Sequence, residues 1–246
     1  MAEFEKVYIT HRGLFNNTDI PENSIEAFKG TVKNGFGTEL DVQLTKDNKL
    51  VVFHDESLKR ICGIDANLRD LSYEELEKLN LLNTEYKIPL FKDVLDVLTR
   101  DNPLIVEIKP EGDAIKTADE AIKLLNKYDL NWTMESFNPL VVRHLKKNYP
   151  EVIRGQLCCN AFENGGNFLF NFAYTYLLMN FLTRPDYIAY DIKNMSNLSF
   201  RIISKVFKGE CVAWTIKSEE DLNKARKYYK QFIFDSFRPK SNKTSC

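Results

Sequence analysis

Short apolar runs alternate with amphipathic segments along most of this chain. The runs with the length and composition of β-strands are 7–11, 37–44, 50–54, 104–109, 131–136, 153–157, 187–192, 211–216 and 232–235. Apolar positions at helical spacing predict helices over 23–34, 73–80, 90–99, 113–127, 138–147, 198–207 and 218–229. Two of these begin with a capping-box signature, Asn23 with Glu26 and Ser72 with Glu75. Strands that alternate with helices predict βαβ units and a mainly parallel sheet.

One pair of neighbouring strands departs from this alternation. Only the polar turn Lys46-Asp47-Asn48-Lys49 separates 37–44 from 50–54, and it is too short for a crossover helix. These two strands should therefore form an antiparallel hairpin. Without the return strand, eight βα repeats remain, the number that a TIM barrel needs. We predict an α/β fold, a TIM (β/α)8 barrel with a short insertion after the extra hairpin strand. The chain, 1–246, is expected to be a single domain, and the insertion, 55–89, to contain one clear helix.

Composition narrows the classes of partner and compartment. A net charge of −1 over 246 residues gives no global field that would recruit nucleic acid or an anionic bilayer. The five cysteines are odd in number and contain no C-x-x-C, which argues against a disulfide framework or a zinc site and favours a reducing compartment. The N-terminus shows no signal peptide. We expect a cytoplasmic protein with no nucleic-acid partner, and a peripheral membrane location is the alternative.

Carboxylates occupy alternate positions within the second predicted strand. Because side chains alternate along a strand, Glu39 and Asp41 share one face, and Glu107 with Lys109 share a face of a later strand. If the apolar face meets the helices, these carboxylates point into the barrel, where a divalent cation would stabilise them. The other interpretation is an edge hairpin with a solvated polar face.

Two histidines end apolar strands. If the hairpin turn is centred on Asp47 and Asn48, position 54 lies across from position 39 within about one residue, so that His54 approaches Glu39. His11 ends the first strand. A lone histidine at a strand end is more often structural, but two beside an acidic face favour acid–base chemistry. Arg12 and Lys109 could hold a phosphate, and ordinary ion pairs with the nearby carboxylates are the alternative.

An ordered set of short motifs resembles the glycerophosphodiester phosphodiesterase family. The set is His11-Arg12-Gly13, Pro21-Glu22-Asn23-Ser24, Glu39-Leu40-Asp41-Val42, Thr45-Lys46-Asp47, Val51-Val52-Phe53-His54-Asp55, Ile88-Pro89-Leu90, Glu107-Ile108-Lys109, Ser136-Phe137, Trp214-Thr215 and Phe234-Asp235. Each motif alone is weak evidence, whereas the ordered set spans nearly the whole chain. The resemblance implies a TIM barrel that hydrolyses glycerophosphodiesters to an alcohol and glycerol 3-phosphate.

The same resemblance assigns roles to individual residues. It implies one divalent metal ion, Mg²⁺ or Ca²⁺, on Glu39, Asp41 and Glu107. It implies that His11 and His54 are the acid–base pair, and that Arg12 and Lys109 contact phosphate. Two alternatives remain: the same chemistry on lyso- or phospholipids at a membrane, or a barrel that binds phosphodiesters without turnover. Every expected catalytic position is filled, which argues against the second.

The segment 168–182 is unusually apolar. Twelve of its fifteen residues are apolar, but Asn171 and Asn180 interrupt it and it is too short to span a membrane. It could be a buried outer helix of the barrel. It could instead be an exposed apolar lid that meets a lipid chain, a membrane surface or a second subunit, with Gly165-Gly166 as a hinge.

Overall fold

The computed structural model describes residues 7–165, 167–206 and 209–240. The strands in these residues are β1 Ile9–His11, β2 Gly37–Leu44, β3 Leu50–Val52, β4 Leu104–Ile108, β5 Trp132–Ser136, β6 Arg154–Cys158, β7 Tyr187–Asp191, β8 Cys211–Ile216 and β9 Gln231–Phe234. The helices are α1 Ile25–Lys33, α2 Lys59–Cys62, α3 Tyr73–Leu76, α4 Phe91–Leu95, α5 Ala114–Leu125, α6 Pro139–Asn148, α7 Phe168–Thr175, α8 Asn180–Thr183, α9 Leu198–Arg201 and α10 Glu219–Ala225. Every predicted strand is present, within two residues of its predicted bounds.

The described residues divide into two compact units, one of them Thr10–Trp132. In this unit β2 lies between β3 and β4. It is antiparallel to β3, with Val42 opposite Val52, and parallel to β4, with Asp41 opposite Glu107. The predicted hairpin is therefore confirmed.

Helix α1 begins one residue later than its sequence signature predicts. The capping box predicted for Asn23 and Glu26 is wrong, because Ser24 is the cap and its Oγ accepts a hydrogen bond from the Ala27 amide at 3.2 Å. Asn23 instead has a φ of 57° and its side chain turns towards β2. The second predicted box, Ser72 with Glu75, is present at the start of α3.

The insertion contains two short helices, α2 and α3, where the sequence indicated one. A small apolar cluster holds it together: Val51, Phe53, Leu58, Ile61, Leu68, Leu76, Leu81 and Ile88. The predicted helix over 73–80 ends at Leu76, and the one over 90–99 ends at Leu95. Leu81 is buried in the cluster although it lies in a turn. Its backbone amide donates to the Tyr86 carbonyl, which closes that turn. The apolar spacing beyond Leu76 thus reflects packing of turns and not a continued helix.

The second unit carries β5 to β9, each paired in parallel with the next strand. A helix or helical turn follows each of β5 to β8, which extends the strand–helix alternation of the first unit. In the described part of the chain, no helix has the length and apolarity needed to cross a membrane.

Candidate active site

Three carboxylates meet on the first unit's sheet. Glu39 and Asp41 come from one face of β2, and Glu107 lies opposite Asp41 on β4. One oxygen from each lies within 4.8 Å of the other two, and all three side chains are buried. The solvated edge hairpin is therefore wrong: the polar face of β2 is inside. Buried like charges this close require compensating cations.

Lys109 and Arg12 supply part of that compensation. The Lys109 ammonium lies 2.8 Å from Glu107 Oε1 and 3.4 Å from Asp41 Oδ1. Arg12 Nε lies 3.4 Å from Asp41 Oδ2. Both residues thus make the ion pairs that were the alternative to phosphate binding, and their contact with phosphate stays a prediction.

The carboxylates respond differently to this field. Burial alone would raise the pKa of Asp41, but the charges of His54, Lys109 and Arg12 outweigh it and lower that pKa well below its usual range. Burial raises the pKa of Glu107, and Lys109 offsets only part of this effect. Lys109 is buried, which disfavours its charge, yet Glu107 and Asp41 raise its pKa. The cluster therefore holds Asp41 firmly ionised and Lys109 firmly charged.

A tight turn after β1 delivers Arg12 to the cluster. Arg12 and Gly13 both have left-handed backbone conformations, with φ of 57° and 82°. The Arg12 amide donates to the Glu39 carbonyl at 3.0 Å, which joins the turn to β2. A Cβ on Gly13 would lie 2.7 Å from Ala27 Cβ, so α1 packs directly against the turn. Glycine is required here by both its φ and the lack of space.

His54 is held at the end of β3 by the residues around it. The Gln43 side-chain amide donates to the backbone carbonyls of Phe53 at 2.8 Å and Asp55 at 2.9 Å. His54 Nδ1 lies 2.6 Å from Asp55 Oδ1. With Nδ1 occupied by the carboxylate, Nε2 is the ring nitrogen left for proton exchange.

Arg60, on α2 of the insertion, connects two parts of the site that sequence reasoning did not link. Its Nε and a terminal nitrogen donate to both oxygens of Asp55, at 2.6 and 3.0 Å. Its two terminal nitrogens also donate to Glu22, at 2.9 and 2.7 Å. Glu22 in turn accepts from Arg12 at 2.8 Å. One guanidinium thus fixes the orienting partner of His54 and the anchor of Arg12.

The remaining histidines lie apart in role. His11 ends β1, is half-buried and directly precedes Arg12. His144, for which no role was predicted, lies on α6 beside Tyr149, with the two ring centres 5.9 Å apart.

The donor set fits a hard divalent cation. Asp41 Oδ1 and Asn23 Oδ1 are buried oxygens that accept no hydrogen bond, and Asn23 Nδ2 donates to Asp41 Oδ2 at 2.9 Å. Carboxylate and amide oxygens are the ligands that Mg²⁺ and Ca²⁺ prefer. Asn23 was not predicted as a site residue, although it lies in the motif Pro21-Glu22-Asn23-Ser24 that contributes to the family resemblance.

Residues 11–235 match the family model described as "Glycerophosphoryl diester phosphodiesterase family". The chain belongs to this family. A glycerophosphodiester phosphodiesterase of Caldanaerobacter subterraneus is 32% identical over 161 residues, which cover 61% of this chain and 65% of that protein. Lysophospholipase D GDPD1 of Homo sapiens is 33% identical over 159 residues, 59% of this chain and 50% of the human protein. The matches thus span about half to two thirds of these relatives.

Solved structures support the fold over more of the chain. A glycerophosphodiester phosphodiesterase from Thermotoga maritima is 26% identical, with a TM-score of 0.72 and 94% of each chain covered. A phosphodiesterase from Oleispira antarctica, solved with the product sn-glycerol-3-phosphate, is 21% identical with a TM-score of 0.75, covering 94% of this chain and 92% of that one. The predicted family and TIM (β/α)8 fold with one extra strand are confirmed. The single-domain prediction and the individual site roles remain predictions.

Glu22 gives the site a pH-dependent contribution to stability. Burial opposes its ionisation, but Arg60, Arg12 and Asn17 outweigh burial and lower its pKa from 4.5 to about 2. A depressed carboxylate pKa stabilises the fold above the unfolded value and loses that effect as pH falls through the folded value. Glu22→Gln should therefore reduce the free energy of unfolding by up to about 3 kcal/mol above pH 4.5.

Denaturant titrations across pH 2 to 7 would measure this difference, which should shrink as pH falls from 4.5 towards about 2. Glu26→Gln removes a partly exposed carboxylate from the neighbouring helix turn, which pairs with Lys29, and is the matched control. A constant difference between Glu22→Gln and the parent protein at every pH would contradict the assignment.

Proposed function

We propose that the protein hydrolyses glycerophosphodiesters to an alcohol and glycerol 3-phosphate. The observation that carries this proposal is the buried cluster of Glu39, Asp41 and Glu107 beside His54. Membership of the family supports it, as does the product in the Oleispira structure. A barrel that only binds phosphodiesters would have no use for a histidine whose Nδ1 is clamped by a carboxylate.

Glu39, Asp41 and Glu107 would hold one divalent cation, Mg²⁺ or Ca²⁺. Such an ion supplies Lewis-acid stabilisation of charge on a phosphoryl oxygen. Arg12 and Lys109 bring positive charge to the same cluster and would bind the remaining phosphate oxygens. Arg12 is held by Glu22, so its guanidinium reaches the phosphate already oriented.

The two histidines would divide the proton transfers. One removes the proton from the attacking hydroxyl, and the other protonates the leaving alcohol oxygen. His54 exchanges its proton through Nε2, because Asp55 holds Nδ1. The attacking group is either the glycerol 2-hydroxyl, which gives a cyclic phosphate that water then opens, or water itself.

A substrate without the 2-hydroxyl separates these routes. We expect 2-deoxyglycerophosphocholine to be cleaved at least about 10²-fold more slowly than glycerophosphocholine, because the neighbouring nucleophile is lost. Choline release from both compounds gives the comparison. Equal rates would leave only direct attack by water.

Arg60 is a positioning residue in this scheme. Arg60→Leu should lower kcat about 10- to 100-fold with little change in KM, because Asp55 and Glu22 lose their shared partner and His54 shifts. Arg69→Leu is the matched control: it lies in the same insertion, is similarly exposed and pairs with Glu56. Steady-state kinetics of both variants test the role, and an equal loss in Arg69→Leu would reduce it to general stability of the insertion.

The proposed function itself is tested by incubating the protein with glycerophosphocholine and Mg²⁺ or Ca²⁺. Formation of glycerol 3-phosphate and choline in equal amounts would support it. Choline phosphate and glycerol would place the cleavage on the other side of phosphorus. Binding without product would leave the non-catalytic barrel.

The same chemistry on lysophospholipids is the second candidate. It is favoured by the similarity to a human protein named lysophospholipase D. Lysophosphatidylcholine in the same assay distinguishes the two substrates. We also propose a cytoplasmic location, which the unoxidised thiols of Cys62, Cys158 and Cys211 support.

A further inference from the structure

Helix α7 buries its polar side chains and exposes its apolar ones, the opposite of an ordinary surface helix. Its hydrogen-bonding side chains face inward: Asn171 Nδ2 donates to the Gly165 carbonyl at 2.7 Å, and the Tyr174 hydroxyl donates to the Leu157 carbonyl at 2.6 Å. Thr175 Oγ1 accepts from the Ala161 amide at 3.0 Å. These buried anchors fix the rotation of the helix. Of the two interpretations of 168–182, the buried outer helix is contradicted, because Phe168, Leu169 and Phe172 are exposed.

The apolar side chains of α7 and α8 consequently face solvent. We call this surface the aromatic face; its members are Phe168, Leu169, Phe170, Phe172, Tyr176, Leu178 and Phe181. Leu169 is 74% exposed and Phe181 is 84% exposed. Soluble proteins rarely expose a contiguous apolar patch of this kind without something that covers it.

Cations border the aromatic face on one side. A groove of about 370 Å³ between α6 and α8 is lined by Arg143, Lys146, Lys147 and Arg184 together with Phe181 and Leu182. Within the described parts of the chain, none of these four cations lies within 4 Å of a carboxylate. Desolvation and the like charges of Arg184, Arg154 and Arg143 lower the pKa of Lys146, as expected for cations without counter-charges.

The sequence around this surface also carries a net positive charge. Residues 137–185 contain five Arg or Lys and two Glu, a balance of +3 in a chain whose net charge is −1. From 167 to 184 there is no acidic residue. The whole-chain charge thus conceals a basic, apolar region.

We propose that the aromatic face and its four bordering cations dock on an anionic phospholipid membrane. The apolar side chains would enter the headgroup region, and the Lys and Arg stems would carry their charges to lipid phosphates. A symmetric dimer is disfavoured because a two-fold axis through this surface would bring the same cations together. The docking is independent of the proposed function, since it concerns a surface that contains none of the proposed site residues.

Sedimentation with vesicles tests the docking. We expect the protein to bind vesicles of phosphatidylcholine mixed with phosphatidylserine, to bind pure phosphatidylcholine weakly, and to dissociate as salt is raised. Lys146→Gln, Lys147→Gln and Arg184→Gln together should weaken partitioning about 100-fold, near fivefold for each charge. The matched control is Lys33→Gln, Lys127→Gln and Lys227→Gln, which removes the same charge from elsewhere. The double variant Leu169→Ser with Phe181→Ser should weaken partitioning to the vesicles about tenfold or more.

Two results would overturn the docking: equal binding by the two triple variants, or no binding of the parent protein to anionic vesicles. Light scattering provides a third outcome. If the parent protein self-associates and Phe181→Ser dissociates it, the surface is an interface between copies and the membrane proposal fails. Hydrolysis of glycerophosphocholine should stay unchanged in every variant, which separates loss of docking from loss of fold.

Discussion

His11→Ala and His54→Ala are each expected to lower kcat about 10²- to 10⁴-fold, the range that general acid–base groups contribute. His54 is aligned by Asp55 and Gln43, so its removal takes away a preorganised proton carrier. His11 ends β1 directly before the turn that carries Arg12. Initial rates on glycerophosphocholine, at saturating metal and substrate, give the comparison.

His144→Ala is the control for these variants, because His144 lies on α6 in the other unit. Circular dichroism and thermal unfolding establish that each variant is folded. If His11→Ala or His54→Ala keeps the parent kcat, that residue is not one of the acid–base pair. If both variants raise KM and leave kcat unchanged, the histidines bind substrate and do not transfer protons.

Removal of the divalent cation should abolish turnover, and Mg²⁺ or Ca²⁺ should restore it. Glu39→Gln, Asp41→Asn and Glu107→Gln should each weaken cation binding by at least about 10- to 100-fold, since even outer-shell partners contribute that much. Asp41→Asn is expected to weaken binding more than Glu107→Gln, because surrounding charges lower the pKa of Asp41 whereas burial raises the pKa of Glu107. Calorimetric titration of Mg²⁺ and Ca²⁺ measures binding without reference to activity.

Glu74→Gln is the control for cation binding, because the Glu74 side chain on α3 is 81% exposed. Unchanged affinity in all three cluster variants would place the cation elsewhere. Full activity of a protein shown to be metal-free would refute the metal requirement. Either result would leave the family assignment intact, because that assignment rests on the match over residues 11–235.

The strands and the acidic cluster were predictable because both depend on local periodicity. Alternation along β2 fixes which face carries Glu39 and Asp41, and a four-residue turn can only produce a hairpin. The pairing of Asp41 with Glu107 then follows from the parallel order of β2 and β4. That the acidic face points inward followed only from the assumption that the opposite, apolar face of β2, with Leu40 and Val42, packs against the helices.

Other features depend on contacts that periodicity does not encode. Arg60, Glu22 and Asp55 come from three separate segments, and only the packing of the insertion brings them together. The rotation of α7 is set by the buried hydrogen bonds of Asn171 and Tyr174, which overrule its apolar composition. An apolar helix predicts burial, and only the partners of its few polar residues reveal the opposite.

The close approach of Ala27 to Gly13 has a consequence for protein design. Backbone atoms of Ala27 also block the space, because its carbonyl carbon would lie 2.9 Å from a Cβ at position 13. A smaller side chain on the helix therefore cannot accommodate a larger one on the turn. A designer who grafts the tripeptide His11-Arg12-Gly13 into another scaffold must graft the facing stretch of α1 with it, or the arginine will not reach its carboxylates.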